Sequence, residues 1–264
     1  MQSEYATVAT ERVDTNILKV TLNRPRAANA INTQMGRDMI AIFEELLVNP
    51  DGVRCVVLTG QGEKVFCAGG DLKERDGMSD SQWRDQHVVF ERMIRAFMGC
   101  PVPTIGAING AAFGGGCEIA AACDFIYASS NARFALTEVT LGIMPGTGGT
   151  QNLPRAIGSR RALEVILTGT PFSARQGFEW GFVNKVTEAV DLQPSVLETA
   201  RRIARNAPIA VRQAKQSVHR GLQMSIADGL AFEIEAYNRL VPTEDRREGV
   251  RAFNERREPN FTDR

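Results

Sequence analysis

Between residues 5 and 22 apolar and polar positions alternate, with Val, Thr and Ile prominent and a polar break at Val13-Asp14-Thr15-Asn16. This spacing predicts a β-hairpin that ends at Arg24-Pro25. The period then changes. Met35, Met39, Ile42, Phe43 and Leu46 recur at helical spacing behind Asn32, a good N-cap, and Asn49-Pro50-Asp51-Gly52 stops the helix. Residues 53–59 form a short apolar, β-branched run and predict a buried strand, followed by a Gly/Ala-rich loop over 60–71. A second helix is expected over roughly 81–98, with Val89, Met93, Ile94 and Phe97 turned inward. Pro101 and Pro103 end it, and a second buried strand comes next, over 104–109.

The alternation continues with a helix at 114–122, a strand at 124–128, helices at 149–157 and 160–167, and a strand at 182–186. Ser173 and Gln176 have capping-box spacing for a short helix that ends by Gly181. Such alternation predicts an α/β fold with mainly parallel strands. Past about residue 195 the strand signals stop. Helices are expected over 195–206, 208–220, 225–241 and 243–257. Asp191-Leu192-Gln193-Pro194 reads as the break, so a core over 1–195 and an all-helical region over 196–264 are expected. No internal repeat or low-complexity segment is visible.

The length of 264 residues suits one large domain, or one domain with an appendage. Lys+Arg and Asp+Glu are equal at 31 each, which argues against a dedicated nucleic-acid binder. The five cysteines (Cys55, Cys67, Cys100, Cys117 and Cys123) show no CxxC pair, which suggests a reducing compartment. The two histidines, His87 and His219, lie far apart in sequence, so no zinc site is expected. Residues 1–10 lack the pattern of a secretory signal, and no apolar run is long enough to span a membrane. A cytoplasmic location is expected.

Two glycine-rich corners carry candidate chemistry. Phe66-Cys67-Ala68-Gly69-Gly70-Asp71-Leu72-Lys73 comes after one predicted strand, and Asn109-Gly110-Ala111-Ala112-Phe113-Gly114-Gly115-Gly116-Cys117-Glu118 after the next. Small residues after a buried strand let a ligand approach the backbone. A glycine triplet opening a helix leaves N–H groups unpaired at the positive end of the dipole. Two convergent N–H donors make an oxyanion hole. Glycine content alone favours the plainer reading, tight turns against close-packed helices. Neither corner has a phosphate-binding fingerprint, and no nucleophile elbow is present.

Glu118 lies in the first turn of the glycine-opened helix among Cys117, Ile119 and Ala120. Glu138 lies in the apolar run Phe134-Ala135-Leu136-Thr137-Glu138-Val139. A carboxylate in such surroundings is costly unless paired or functional. Two carboxylates with separated pKa values can activate water and deliver a proton. The residues themselves leave open a plainer reading, in which Glu118 only complements the helix dipole and Glu138 is a surface acid.

Together with Leu141-Gly142-Ile143-Met144-Pro145-Gly146-Thr147-Gly148-Gly149-Thr150-Gln151, the two corners resemble the crotonase (enoyl-CoA hydratase/isomerase) superfamily. The likeness begins at Leu22-Asn23-Arg24-Pro25 and reaches Asp245-Arg246-Arg247-Glu248-Gly249. It implies a crotonase-type ββα superhelix, or spiral, with a C-terminal all-helical trimerisation region, assembled as a trimer or a dimer of trimers. It implies acyl-CoA thioester substrates, with coenzyme A as part of the substrate, no separate cofactor and no metal. By motif position the oxyanion donors are the N–H groups of Gly70 and Gly115. Ala68, Asp71 and Leu72 line the coenzyme A side, and Arg26, Ala27 and Ala28 match the loop near its nucleotide end. Hydratases of the family carry two glutamates at these positions, so Glu118 and Glu138 favour hydration of a trans-2-enoyl thioester in fatty-acid or branched-acid degradation. The analogy makes Glu138 the proton donor to the α-carbon and Glu118 the residue that activates water. Both share one water, so this division stays open.

Three rival readings are an enoyl-CoA isomerase, another crotonase lyase, and an RNA-binding side function. Leu72-Lys73-Glu74-Arg75 and Val241-Pro242-Thr243 resemble a methylglutaconyl-CoA hydratase branch with an RNA-binding member. Arg201, Arg202, Arg205, Arg212, Lys215 and Arg220 form a possible basic stripe, for which a solvated helix face is the plainer account. His87 is expected at a surface or boundary position, Cys67 and Cys117 as packing residues, and Trp83 and Trp180 in core or interface. Phe90 and Met93 suggest a pocket for a short or medium acyl chain, shaped also by the loop around 76–83.

Overall fold

A computed structural model describes residues 4–264. The expectation about residues 1–10 falls partly on 1–3, outside the described residues. The predicted hairpin forms as β1 (Val8–Val13) and β2 (Ile17–Leu22), paired antiparallel. Asn32 caps helix α1 (Thr33–Val48) by accepting from Met35 N–H, and Met35, Met39, Ile42, Phe43 and Leu46 are all buried, as the helical spacing requires.

The chain then climbs by repeated steps. In each, a longer strand enters one sheet, a three-residue strand enters a second, and a helix closes the step. The first step is β3 (Cys55–Gly60), β4 (Val65–Cys67), the short helix α2 (Leu72–Arg75) and the long helix α3 (Asp80–Met98). The second is β5 (Thr104–Ile108), β6 (Ala111–Phe113) and α4 (Gly115–Ala122). The third is β7 (Phe125–Ser129), β8 (Arg133–Ala135), α5 (Gly149–Ile157) and α6 (Ser159–Thr168). Then come β9 (Phe172–Ser173), α7 (Ala174–Glu179) with the expected Ser173/Gln176 capping box, and β10 (Lys185–Thr187). The six-stranded sheet has order β1-β2-β3-β5-β7-β10 and the four-stranded sheet β4-β6-β8-β9. From β2 to β10 the larger sheet is parallel. This is the ββα spiral that the motifs implied.

The strand expected over 182–186 begins later. Phe182 and Val183 are buried in the approach to it, and the parallel ladder to β7 runs only over Lys185–Thr187.

Every residue of β3 and β5 is buried because the larger sheet is covered on both faces. Val56, Leu58 and Ile108 face the main core with α1 and α3. Cys55, Val57, Ile105 and Ala107 face the other way, onto Leu192, Val196 and Ala200. Those three belong to α8 (Ala189–Ala204), which runs unbroken through Pro194 and across the expected 195/196 boundary. This helix is thus a layer of the core and not the start of the tail. Pro194 removes one hydrogen bond near the helix start, and the buried face of α8 offsets that loss.

Helices α9 (Pro208–Gly221), α10 (Ile226–Asn238) and α11 (Glu244–Glu255) complete the chain, close to the expected spans. They bury little: Leu222, Ile226, Leu230, Ile234 and Tyr237 are exposed. The basic stripe is largely neutralised. Arg201 pairs with Asp14, Arg202 with Glu198, Arg212 with Asp263 and Lys215 with Asp124. Among the described residues no helix is long and apolar enough to cross a membrane.

Candidate active site

The four-stranded sheet organises the site. β4, β6 and β8 are consecutive parallel neighbours. The segments that leave their carboxyl ends therefore meet at one end of the sheet. After β4 comes the Gly69-Gly70 corner, after β6 the Gly114-Gly115 corner that opens α4, and after β8 the 3-10 turn Glu138–Leu141. These strands are too short for periodicity to reveal, yet they bring both corners and both glutamates together.

The two corners touch. Gly69 has φ +95°, and a Cβ there would lie 2.8 Å from Phe113 O and 3.2 Å from Gly115 N. Only glycine meets both demands, conformational and steric. A Cβ at Gly115 would lie 3.7 Å from Gly70 N, so the two corners' backbones lie against each other. Gly115 is the first residue of α4, so its N–H has no partner within the helix. Ala68 N and Asp71 N, by contrast, are tied to Ala28 O and Ile31 O. Gly70 and Gly115 both line a cavity of about 460 Å³.

Glu118 and Glu138 line the same cavity, 3% and 8% exposed, so the surface reading of Glu138 fails. Their surroundings differ. The loop before α5 curls back so that Thr147 N and Gly149 N each donate to Glu118 Oε1 at 2.8 Å. Thr147 Oγ1 donates to Glu118 Oε2. Both Oε atoms of Glu138 are buried without a hydrogen-bond partner. Burial, reinforced by the nearby Glu118 charge, pushes the Glu138 carboxyl up to about 7. A Cβ at Gly114 would come 3.3 Å from Glu138 Oε1, so the glycine also makes room for that side chain.

The remaining wall is mixed. Ala68 and Leu72 line the cavity. Asp71 instead caps α2 through Lys73 N and Glu74 N and pairs with Arg24 at 2.8 Å. Burial acts to raise its pKa, but the Arg24 hydrogen bond and charge outweigh this and hold it below the usual carboxylate range. Arg26 is exposed on the 3-10 turn Pro25–Ala27, and Ala28 comes next in the left-handed region, its carbonyl holding Ala68 N. Arg26, Ala28 and Asp71 stand outside the cavity wall. Met93 is in the core, whereas Phe90 does reach the cavity. His87, exposed as expected, stands at the cavity beside Gly146.

Thr147 and Arg75 are cavity residues that sequence reasoning did not single out. Arg75 Nε donates to Gln86 Oε1 at 2.8 Å, and the guanidinium lies 4.4 Å from the Trp83 ring centroid and 5.4 Å from that of Phe90. The five cysteines are unpaired and buried. Burial raises the Cys67 thiol to about 12 and pushes Cys117 up as well, so neither is an activated nucleophile. Among the described residues no group of three or more His, Cys, Asp or Glu side chains is placed to hold a metal ion.

Two N–H donors beside two buried acids of unequal standing can stabilise an oxyanion while moving a proton between water and carbon. Comparison with known proteins points the same way. The sequence profile described as enoyl-CoA hydratase/isomerase matches residues 12–264. A putative enoyl-CoA hydratase/isomerase, YngF, of Bacillus subtilis is 48% identical over 90% of this chain and 91% of that protein. A short-chain-enoyl-CoA hydratase of Clostridium acetobutylicum is 43% identical over 90% of this chain and 91% of its own length. The crystal structure of an enoyl-CoA hydratase from Bacillus anthracis matches with a TM-score of 0.95 at 41% identity, covering 98% of this chain and all of that one.

Proposed function

Because the chain belongs to the enoyl-CoA hydratase/isomerase family, we propose that it adds water across the 2,3 double bond of a trans-2-enoyl-CoA to give the 3-hydroxyacyl-CoA. One observation carries this reading: two buried glutamates of opposite hydrogen-bond standing share a cavity with the paired N–H groups of Gly70 and Gly115. The thioester oxygen docks on those two N–H groups, which stabilise the enolate formed when water attacks C3. Glu118, acceptor of three hydrogen bonds, is held still to orient the water and take its proton. Glu138, which holds a proton up to about pH 7, delivers it to C2. Both groups act from one side of the substrate, so addition is syn. The pair carries one proton before and after turnover.

The test is loss of the conjugated-thioester absorbance with crotonyl-CoA, in wild type and in Glu118→Gln and Glu138→Gln. Each variant is expected to lose about 10²–10⁴ in turnover, as for lost acid–base help. A wild-type enzyme that shifts the double bond without adding water would instead select the isomerase reading.

The exposed apolar row on α10 and its flank, Leu222, Ile226, Leu230, Ile234 and Tyr237, supports a homo-oligomer built through the tail. Light scattering on the purified protein should return a trimer or its multiple. Buried, unpaired cysteines support a cytoplasmic setting, and fatty-acid or branched-acid degradation is the reaction context this chemistry fits.

A further inference from the structure

The N–H of Gly70 is aimed by a segment that stands behind it. Residues 28–31 run beside the Gly69-Gly70 corner, with Ile31 and Gly70 as a parallel bridge. Ala68 N–H donates to Ala28 O at 3.1 Å, Ile31 N–H to Gly69 O at 2.8 Å, and Asp71 N–H to Ile31 O at 2.9 Å. The Gly69–Gly70 peptide is trans, so its N–H points opposite to its carbonyl. With Gly69 O held toward Ile31, the Gly70 N–H is turned away from the segment. The segment itself needs holding. Ala28 and Asn29 both have positive φ, 50° and 52°, which residues with a Cβ seldom adopt. Asn29, 1% exposed, accepts from Arg24 N through Oδ1 and donates through Nδ2 to Gln61 O and Val65 O, each at 3.0 Å. Arg24 Nη1 donates to Ala30 O and pairs with Asp71 Oδ2 at 2.8 Å. One cation thus joins the residue before Ile31 to the residue after Gly70. The two side chains of that ion pair are only 21% and 11% exposed, so water is a poor substitute for either partner. Asp71 Oδ1 meanwhile accepts from Lys73 N and Glu74 N, which ties the far end of the corner to α2.

Resting on the reading of Gly70 and Gly115 as oxyanion donors, we propose that Arg24 is a positioning residue of the reaction, which fixes the direction of the Gly70 N–H through Ala30 and Asp71. Arg24 and Asp71 stand outside the cavity wall, so they act through the backbone. An oxyanion donor lowers the barrier only if it is already in place when the charge develops. A tilted Gly69–Gly70 peptide therefore costs rate, while binding spread over the rest of the thioester changes little.

The experiment reads the donors directly from the absorbance of bound hexa-2,4-dienoyl-CoA. Hydrogen bonds to the thioester oxygen draw electron density along the conjugated chain and move its band to the red. Wild type, Arg24→Met, Arg24→Lys and Asp71→Asn are compared, with kcat and KM for crotonyl-CoA hydration alongside. Wild type is expected to show the red shift. Arg24→Met should lose much of it and lower kcat by roughly 10–100-fold, with KM changed by no more than about threefold. Arg24→Lys should recover most of both, and Asp71→Asn, of the same shape without the charge, should reproduce the loss in milder form. A folded Arg24→Met with the full red shift overturns the proposal, and so does a loss confined to KM, which would make Arg24 a binding residue. If Arg24→Met does not fold, Asp71→Asn decides: a wild-type red shift and turnover there overturn the proposal. A wild type without a red shift removes the oxyanion reading, and the proposal with it. A wild type that shows the red shift but hydrates nothing sinks the hydratase reading alone, and the spectra of the variants still decide the role of Arg24.

Discussion

Glu118 and Glu138 face one cavity, yet three hydrogen bonds converge on Glu118 and none reaches Glu138. The asymmetry arises from what each strand leads into. The loop that ends in Thr147 and Gly149 closes over Glu118, whereas Glu138 opens a 3-10 turn of which it is the one buried residue. One acid is thereby fixed as an acceptor and the other is left to keep its proton.

A pH profile should expose that proton. The pair needs one proton in either direction of the reaction, and Glu138 gives it up near pH 7. Hydration and dehydration therefore lose kcat/KM together above about pH 7, by roughly tenfold per unit once chemistry limits the rate. Rates measured from pH 5 to 9 in both directions provide the check. A hydration rate that stays level through pH 9 would remove Glu138 from the role of acid.

The same carboxyl lowers stability at alkaline pH. Its pKa is near 4.5 when unperturbed and about 7 in the fold, so between those values the folded state holds a proton that the unfolded chain has lost. Stability is undiminished below about pH 4.5 and declines as pH rises through about 7. Glu138→Gln removes the buried charge. It should raise Tm at pH 8 by roughly 2–6 °C, for an effect on the order of 1–2 kcal/mol after allowance for partial solvation, and change it little at pH 5. Melting curves at the two pH values, with activity lost at both, would separate this from a general stabilisation.

Thr147→Val should be damaging although Thr147 need not touch the substrate. It removes the hydroxyl bond to Glu118 Oε2 and keeps the backbone bond to Oε1. Turnover is expected to fall by roughly 10–100-fold with a smaller change in KM, as for a misplaced catalytic group. Thr147→Ser should recover most of it. A loss confined to KM would show that Thr147 acts on binding rather than on Glu118.

How much of this could be read in advance depends on the range of the forces involved. Asn32, the α1 stripe and the Ser173/Gln176 box are local devices, and they sit where their spacing put them. Glu118 and Glu138 were visible because an acid in an apolar run is itself anomalous. Thr147 was not: its partner is 29 positions away, and only the folded loop joins them. Arg75 entered only as part of the family-like stretch Leu72-Lys73-Glu74-Arg75, since nothing local tells a cavity cation from a solvated one. The strands β4, β6 and β8, at three residues each, are too short to carry a period. Pro194 read as a stop, yet burial of Leu192, Val196 and Ala200 against the larger sheet outweighs one lost hydrogen bond.

The contact between the two corners yields the severest prediction. A Cβ at Gly116 would lie 2.2 Å from Cys67 O and 2.8 Å from Cys67 Cβ, so α4 and β4 must separate to admit one methyl group. No flexible side chain can yield, because the carbonyl belongs to a strand paired with β6. Gly116→Ala should therefore cost at least about 2–3 kcal/mol, seen as a Tm lower by roughly 4–10 °C. Any protein that still folds should have lost turnover, because the shift separates Gly70 from Gly115. Gly221→Ala is the control: nothing lies within 4 Å of a Cβ there, in helix α9, where alanine is the better helix former. A Gly116→Ala variant with wild-type melting and turnover would show that the corners are looser than this contact implies, and that the oxyanion pair does not depend on it.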